Sequence, residues 1–151
     1  MVLIVDSREQ NPLTFMQTNG VEIITQMLEV GDYSAVNSKV VVERKSIADL
    51  FNSYTSNYDA ERAKILRAKD MGLKFILGIE GSATQIRKGH TYWQGGEIKE
   101  AKKSGISMIK QLMTVSVKYG VDVWFSEGRR DLAFRIVEYL LAEERVGKEK
   151  C

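Results

Sequence analysis

Several residue types that often decide a function are scarce in this chain of 151 residues. Its one cysteine, Cys151, excludes an internal disulfide and a zinc site built from cysteines. His90 is the only histidine, and no serine or cysteine is paired with it in a recognisable hydrolase motif. There is one proline, Pro12, and no linker-like stretch. We therefore expect a single domain with one core over residues 1–146, followed by a polar, frayed tail over 147–151.

Long apolar runs and a strong net charge are also missing. No segment approaches the length of a membrane span, and no apolar signal segment follows the first residues. We therefore expect no membrane contact and a cytoplasmic protein, which would be nucleoid-associated, or in the host cytoplasm if viral, or in the nucleus if eukaryotic. The formal net charge of +2 says little about nucleic acid, because binding needs a local basic face rather than a high total.

Short apolar segments alternate with amphipathic ones along the chain. Strands are predicted over 2–6, 21–27, 32–36, 39–45, 73–80 and 121–125. Helices are predicted from residue 47, over 58–71, 97–119 and 128–144, with one or two turns over 82–88 and a loop over 89–96. Early strands followed by strand and helix in alternation predict an α/β sheet with helices on both faces.

The most informative stretch joins Gly31-Asp32-Tyr33, a short apolar strand, and Glu43-Arg44-Lys45. Folding the chain back at the turn residues 37–39 makes a hairpin that puts Asp32 near Glu43. Side chains alternate along a strand, so Glu43 and Lys45 face one side and Arg44 the other. An isolated glutamate and lysine at this spacing would more often be a solvated strand end, since short motifs give many false matches.

Two carboxylates and a lysine at one point are the minimum set for metal-assisted hydrolysis of a phosphodiester. The carboxylates of Asp32 and Glu43 suit a hard divalent cation, Mg²⁺ or Mn²⁺. Such a cation polarises the phosphate and lowers the pKa of a bound water. Lys45 can orient the attacking water or stabilise the negative charge that develops.

The longer pattern resembles the XPF family of structure-specific DNA endonucleases, whose hallmark is G-D, a variable stretch, and then E-R-K-x-x-x-D. Here the last aspartate of that hallmark is Asp49. Residues 4–9 are similar to the family's first strand, which ends in V-D-x-R-E, and residues 75–81 to a later strand ending in I-E. The resemblance covers most of the chain. It implies a restriction-endonuclease-like fold, with a mixed central sheet flanked by helices.

The resemblance also implies a divalent-metal-dependent DNA endonuclease acting on branched DNA, such as a flap, splayed arm or fork, in repair, recombination or replication. It adds Asp6 to the metal ligands, directly or through water, with a turn-forming aspartate as the alternative. Arg8 and Arg44 would hold phosphate, and the Arg44 carbonyl could ligate metal. For Arg8 the alternative is an exposed ion pair, and for Arg44 it is a salt bridge. Asp49 is either catalytic or a carboxylate that favours the positive helix end.

Further DNA contacts are expected outside the motif. Family members often carry an arginine early in the helix that follows it, and here that contact is lost or moved to Arg62. The segment containing Lys88, Tyr92 and Trp93 mixes basic and aromatic residues, which can grip DNA by charge and stacking. The favoured alternative is that both aromatic side chains cover the edge of the core.

Two expectations concern partners and activity. The last predicted helix carries an apolar stripe, Leu132, Ile136, Val137, Leu140 and Leu141, which the pattern predicts as core. The family resemblance implies instead that the C-terminal helices form a homodimer contact. The rival function is a non-catalytic DNA-binding or scaffold subunit with a nuclease-like fold. Such subunits usually lose the acidic residues or the lysine of the motif, which are all present here.

Overall fold

The computed structural model describes residues 1–16 and 20–150. Within these ranges the strands are β1 (Val2–Asp6), β2 (Glu22–Gln26), β3 (Tyr33–Ala35), β4 (Val40–Lys45), β5 (Lys74–Ile79), β6 (Thr91–Gln94), β7 (Glu97–Glu100) and β8 (Asp122–Trp124). The helices are α1 (Ile47–Ser56), α2 (Tyr58–Asp70), α3 (Ala83–Arg87), α4 (Gly105–Tyr119) and α5 (Arg129–Glu149).

Six strands form one mixed sheet in the order β2-β1-β3-β4-β5-β8. β1 is parallel to β2 and antiparallel to β3, and β3 is antiparallel to β4. β4, β5 and β8 run parallel. The predicted fold class is confirmed, because the central sheet is mixed and helices flank it.

Apolar side chains on the two faces of this sheet form two cores. One core joins Val41 and Leu77 to buried residues of the first four helices, and the other joins Val40 and Val42 to α5. Neighbouring valines of β4 thus point to opposite faces, as strand geometry requires. The same alternation sends Glu43 and Lys45 toward the α1–α2 side and Arg44 toward the α5 side.

A glycine fixes the point where the chain enters β3. Gly31 has φ +80°, and a Cβ atom there would lie 2.1 Å from Cγ2 of Val41. Any larger residue would both strain the backbone and clash with β4. This close approach of Gly31 to β4 lets the backbone N–H of Asp32 donate a hydrogen bond to the carbonyl of Val42 at 2.8 Å. Asp32 is therefore held at the edge of the strand that carries Glu43.

The segment 89–104 differs from the prediction. Instead of a loop leading into a long helix from residue 97, β6 and β7 form an antiparallel hairpin. Gly95 and Gly96 both have positive φ, which is the requirement of a tight two-residue hairpin turn. The next helix begins only at Gly105, because Ser104 caps it by accepting a hydrogen bond from the Ser107 N–H at 3.1 Å.

The C-terminal boundary also differs. α5 continues to Glu149, so residues 147–149 are helical rather than a frayed tail, although their side chains are exposed. Cys151 lies outside the described residues. In the described part of the chain, none of the helices combines the length and apolar character needed to cross a bilayer.

Candidate active site

Asp32, the residue just before β3, lies opposite Glu43 of β4. Tyr33 pairs with Val42 in the antiparallel ladder, so Asp32, which precedes Tyr33, faces Glu43, which follows Val42. One carboxylate oxygen of Asp32 accepts the Arg44 N–H at 2.7 Å. Glu43 is 5% exposed. Burial and the nearby charge of Glu43 raise the pKa of Asp32 to about 7. The two carboxylates therefore repel each other at a partly buried point.

Lys45 shares the face of Glu43, as strand alternation predicts. Its ammonium lies 3.7 Å from Oε1 of Glu43 and donates hydrogen bonds to Glu61 at 3.1 Å and Ser53 at 3.2 Å. Lys45 is 8% exposed. The ammonium is thus surrounded by acceptors rather than solvated at a strand end.

A second lysine reaches the same carboxylate from α2. The Lys64 ammonium donates to Oε1 of Glu43 at 3.1 Å and to Oε1 of Glu61 at 3.2 Å. Burial acts to lower the pKa of Lys64, but the two carboxylates outweigh it and raise that pKa above its usual value. Lys64 thus joins the site, although the sequence did not point to it. Arg62 lies on the exposed side of α2, 3.5 Å from Asp59, and its contact with DNA stays a prediction.

Arg44 anchors a separate ionic cluster on the other face of β4. Its guanidinium donates to Glu9 at 3.0 Å and to Glu80 at 2.6 Å. Arg129 of α5 also donates to Glu80, at 3.2 Å. Burial acts to lower the pKa of Arg44, but its bonds to Glu80 and Glu9 raise it above the usual value. Arg44 is 14% exposed and pairs with two carboxylates, so the structure shows the salt bridge, and the phosphate contact stays a prediction.

Asp6 and Arg8 form a pair beside the carboxylates. Both oxygens of Asp6 accept hydrogen bonds: Arg8 donates to each, at 3.0 and 3.3 Å, and the Leu28 N–H donates at 2.7 Å. Burial acts to raise the pKa of Asp6, but these bonds outweigh it and hold that pKa below its usual value. The structure therefore ties Asp6 to Arg8 and Leu28 rather than bringing it into a three-carboxylate site with Asp32 and Glu43. No group of three acidic, histidine or cysteine residues with metal-site geometry occurs within residues 1–16 and 20–150.

The remaining predicted site residues lie farther out. Asp49 has an exposed side chain in the first turn of α1, and its N–H donates to the capping hydroxyl of Ser46 at 3.1 Å. Arg8 is 61% exposed, although its guanidinium also donates to the Leu28 carbonyl at 2.6 Å. The bond to Asp6 is the main cause that raises the pKa of Arg8, and the charges of Asp32 and Glu43 add to it, so the guanidinium lies within electrostatic reach of the site.

The hairpin β6–β7 presents the aromatic residues. Trp93 is 73% exposed and stands opposite Ile98, so it does not cover the core edge. Tyr92 points to the other side, where it stacks on His90, which in turn stacks on Phe51. Lys88 is exposed just before the hairpin.

The apolar stripe on α5 is core, as its spacing predicts. Leu132, Ile136 and Leu140 are at most 1% exposed and pack on the sheet. These three residues therefore do not form a homodimer contact, because the chain's own sheet already covers them. The outer face of α5 instead exposes Phe134 at 65%.

The residues present fit a divalent cation. Asp32 and Glu43 are hard oxygen donors, and burial together with the charge of Glu43 raises the pKa of Asp32. A cation bound between them would favour the ionised form of both carboxylates. Asp6 lies beside them, and Arg8 donates hydrogen bonds to its carboxylate.

Sequence reasoning missed two residues of the site, Glu61 and Lys64. One signal was available. The buried side chains of α2 are Glu61, Ile65 and Ala68, spaced as one helix face. A carboxylate in line with an apolar stripe predicts a buried cationic partner, since burying an unpaired charge is costly.

Proteins of known structure share this fold. The structure of XPF from Aeropyrum pernix superposes with a TM-score of 0.67 at 19% identity, over 99% of this chain and 69% of that one. The same protein in complex with DNA superposes with a TM-score of 0.66 at 19% identity, over 95% of this chain and 65% of that one. At this identity the match establishes the fold. The site and the sheet together define a nuclease-type α/β domain.

Proteins with similar sequences identify the family within this class. The 3′-flap repair endonuclease Xpf of Saccharolobus solfataricus is 27% identical over 131 residues, which are 87% of this chain and 49% of that protein. The DNA repair endonuclease UVH1 of Arabidopsis thaliana is 46% identical over 56 residues, 36% of this chain and 6% of that protein. This chain thus spans about half the length of the first relative. The family model of the ERCC4 domain matches residues 5–138, so the chain belongs to the ERCC4 domain family and is an XPF-type nuclease domain.

Proposed function

We propose that this domain is a divalent-metal-dependent DNA endonuclease. The observation that carries the proposal is the opposed pair Asp32 and Glu43, with the Lys45 ammonium 3.7 Å from Glu43 on the same face of β4. Family membership supports it, because the relatives are DNA repair endonucleases by name. The complete motif argues against the rival, a non-catalytic DNA-binding or scaffold subunit.

Each residue of the site has a role in phosphodiester hydrolysis. Asp32 and Glu43 hold Mg²⁺ or Mn²⁺, which when bound polarises the scissile phosphate and lowers the pKa of a coordinated water. Lys45 orients the attacking water or stabilises the charge that develops on the phosphate. Arg8, exposed beside the carboxylates, contacts a neighbouring phosphate. Arg44 acts through its backbone, because its N–H fixes one oxygen of Asp32.

The DNA surface extends from the site to the hairpin β6–β7. Trp93 and Ile98 stand opposite each other and are both exposed, which suits stacking on an unpaired base. Lys88 adds positive charge at the base of the hairpin. Unpaired bases occur at flaps, splayed arms and forks, so this surface supports branched DNA as the substrate, in repair, recombination or replication.

We also propose a homodimer through the outer face of α5. Phe134 is 65% exposed there, next to Arg130 and Glu138 around a cavity of 730 Å³. A large exposed aromatic beside a cavity is typical of a protein contact. Phe134→Glu should convert the dimer to a monomer in light scattering at tens of micromolar, on the order of weak-association concentrations. A monomeric wild-type protein under the same conditions would contradict the dimer.

The test of the function is cleavage of labelled flap, splayed-arm, fork and linear duplex DNA with Mg²⁺, Mn²⁺, Ca²⁺ or EDTA. We expect cleavage of the branched substrates with Mg²⁺ or Mn²⁺, poor turnover with Ca²⁺, and none in EDTA. Glu43→Gln, purified in the same way, controls for a contaminating nuclease. Full cleavage in EDTA contradicts the metal mechanism. Tight binding of branched DNA without cleavage under any condition would favour the scaffold function.

A further inference from the structure

Glu61 is a buried carboxylate outside the sequence motif that defines the site. It lies on the inner face of α2 and is 5% exposed. Both lysines of the site converge on the same oxygen, Oε1, with Lys45 at 3.1 Å and Lys64 at 3.2 Å. A charge this deep in the fold is stable only when it is paired and hydrogen-bonded.

The contacts of Lys45 constrain the direction of its ammonium. An ammonium has three protons to donate. One goes to Glu61 at 3.1 Å and one to Ser53 at 3.2 Å, and both acceptors lie on the helices that cover this face of the sheet. Oε1 of Glu43 lies 3.7 Å from the same nitrogen, beyond hydrogen-bond distance. Two acceptors on the helices thus hold the ammonium of a flexible side chain close to one carboxylate of the Asp32 and Glu43 pair.

Stability alone does not account for Glu61. An apolar residue at Glu61 alone would leave the buried Lys45 ammonium without its acceptor at 3.1 Å, which is costly. Replacing the whole ionic group, Glu61 together with its lysines, by apolar residues of similar volume is often neutral for stability or even favourable. The fold by itself therefore does not require an ionic group at this point. A buried carboxylate aimed at the lysine of the motif is better explained by a task at the site.

We infer that Glu61 is a positioning residue for Lys45, holding its ammonium in the orientation that phosphodiester hydrolysis requires. Glu61 touches neither metal nor DNA in this role and acts only through Lys45. The inference rests on the proposed function, because it assigns to Glu61 the support of a lysine that is itself proposed to be catalytic.

Four variants separate the possible roles. Glu61→Met keeps the approximate volume but removes the acceptor, whereas Glu61→Gln keeps an acceptor oxygen at the same reach. Asp59→Asn is the matched control, because Asp59 is a carboxylate on the same helix with a side chain that is 93% exposed. Should Glu61→Met fail to fold by circular dichroism, Glu61→Asp serves instead, since it keeps the charge but withdraws the carboxylate by one methylene.

The first measurement does not depend on activity. Relaxation of the ¹⁵N-labelled lysine ammonium groups, measured by NMR with Ca²⁺ present, reports the mobility of the Lys45 head group. We expect a rigid ammonium in the wild-type protein, in Glu61→Gln and in Asp59→Asn, and a mobile one in Glu61→Met. Equal mobility of Lys45 in the wild-type protein and in Glu61→Met would overturn the inference.

The second measurement is a double-mutant cycle in single-turnover cleavage at saturating Mg²⁺. Loss of one preorganised donor by Lys45→Met should slow cleavage about 100-fold. Glu61→Met should slow it about tenfold, as the loss of an outer supporting contact does, and Glu61→Gln should recover most of the rate. In the Lys45→Met background, Glu61→Met should change the rate by no more than about twofold, because the two residues act as a unit.

The outcomes test the positioning role of Glu61 separately from the proposed endonuclease activity. Cleavage by the wild-type protein with additive effects of the two methionine substitutions would overturn the positioning role and leave the endonuclease intact. The NMR result expected above, together with no cleavage of any DNA, would overturn the endonuclease while the contact between Glu61 and Lys45 stands. The expected result in both measurements supports both.

Discussion

The two faces of β4 carry ionic clusters that differ in how their charges are matched. On the α1–α2 face, burial and the nearby charge of Glu43 raise the pKa of Asp32 to about 7. On the α5 face, Arg44 lies between Glu9 and Glu80 at 3.0 and 2.6 Å, and its pKa is raised because its charged form is stabilised. The first cluster, which we call the open cluster, has negative charge left to bind a cation. The second, which we call the closed cluster, has its carboxylates matched by arginine.

Because side chains alternate along β4, the residues proposed for catalysis lie on one face and the residues that anchor the fold lie on the other. The second cluster also holds residues 9–13, because the Tyr33 hydroxyl donates to Glu9 at 2.8 Å and accepts the Leu13 N–H at 2.8 Å. Arg129, at the start of α5, donates hydrogen bonds to the carbonyls of Asn11 and Pro12 and so connects this helix to the same cluster. We infer that the closed cluster contributes mainly to stability and the open one mainly to activity. The predictions below test that division.

The largest effect should come from removing a carboxylate of the open cluster. Asp32→Ala or Glu43→Ala deletes a metal ligand, so single-turnover cleavage should fall by more than the ~100- to 1000-fold loss typical of one transition-state donor. The metal-free fold should persist, with an unchanged or slightly raised melting temperature, because repulsion is relieved. Asp59→Ala, which removes an exposed carboxylate of α2, is the control. Near wild-type turnover in either variant would show that the site is assigned wrongly.

The closed cluster should respond in the opposite way. Arg44→Met leaves Glu9 without its cation and Glu80 with Arg129 alone, and breaking a buried pair by removing one partner costs about 3 kcal/mol or more. We expect the free energy of unfolding in urea to fall by that order. Adding Glu9→Gln should restore part of the loss. A fall of under about 1 kcal/mol, the range of an exposed ion pair, would mean that this cluster does not anchor the fold.

The stability of the metal-free protein should decrease as pH rises. Burial and the charge of Glu43 raise the pKa of Asp32 from 3.8 to about 7, so the folded state favours its neutral form. That stabilisation is complete below pH ~4 and is lost as pH rises through about 7. A shift of about three pKa units corresponds to at most about 4 kcal/mol, which solvent at this partly exposed group will reduce. Urea unfolding in EDTA between pH 5 and 8 measures the slope.

Asp32→Asn supplies the matched control for that slope. It removes the ionisation and keeps the acceptor for the Arg44 N–H. The variant should lose most of the decrease between pH 5 and 8 and should be more stable than the wild-type protein at pH 8. An unchanged slope would show that the pair formed by Asp32 and Glu43 does not control it.

Much of this division could be predicted from the sequence, and the reasons are local. The positive φ of Gly31, the alternation at Glu43, Arg44 and Lys45, and the hairpin between β3 and β4 all follow from short-range rules. Site residues that lie on other secondary-structure elements were harder to predict. Glu61 and Lys64 depend on the packing of α2 against β4, and no spacing between distant elements encodes that contact.

One expectation about the fold was wrong. The helix predicted from residue 97 ignored the Gly95-Gly96 turn, whose two positive φ angles favour a hairpin. The place of Asp6 among the metal ligands stays a prediction. Asp6 does lie beside Asp32, since its N–H donates to the Asp32 carbonyl at 2.8 Å, yet Arg8 engages its side chain. Position in the sheet was predictable, whereas the direction of the side chain was not.

The smallest effect should come from Lys64, the cation that already lies on the open cluster. Its ammonium is 3.1 Å from Oε1 of Glu43 and its side chain is 42% exposed, so it competes with a metal for part of the charge of that carboxylate. A partly exposed ion pair contributes about 0.5 to 1 kcal/mol, so Lys64→Met should tighten Mn²⁺ binding about two- to fivefold in calorimetry. Lys69→Met, an exposed lysine on the same helix, should leave it unchanged. Weaker Mn²⁺ binding in Lys64→Met would mean that Lys64 holds Glu43 in place for the metal instead of competing with it.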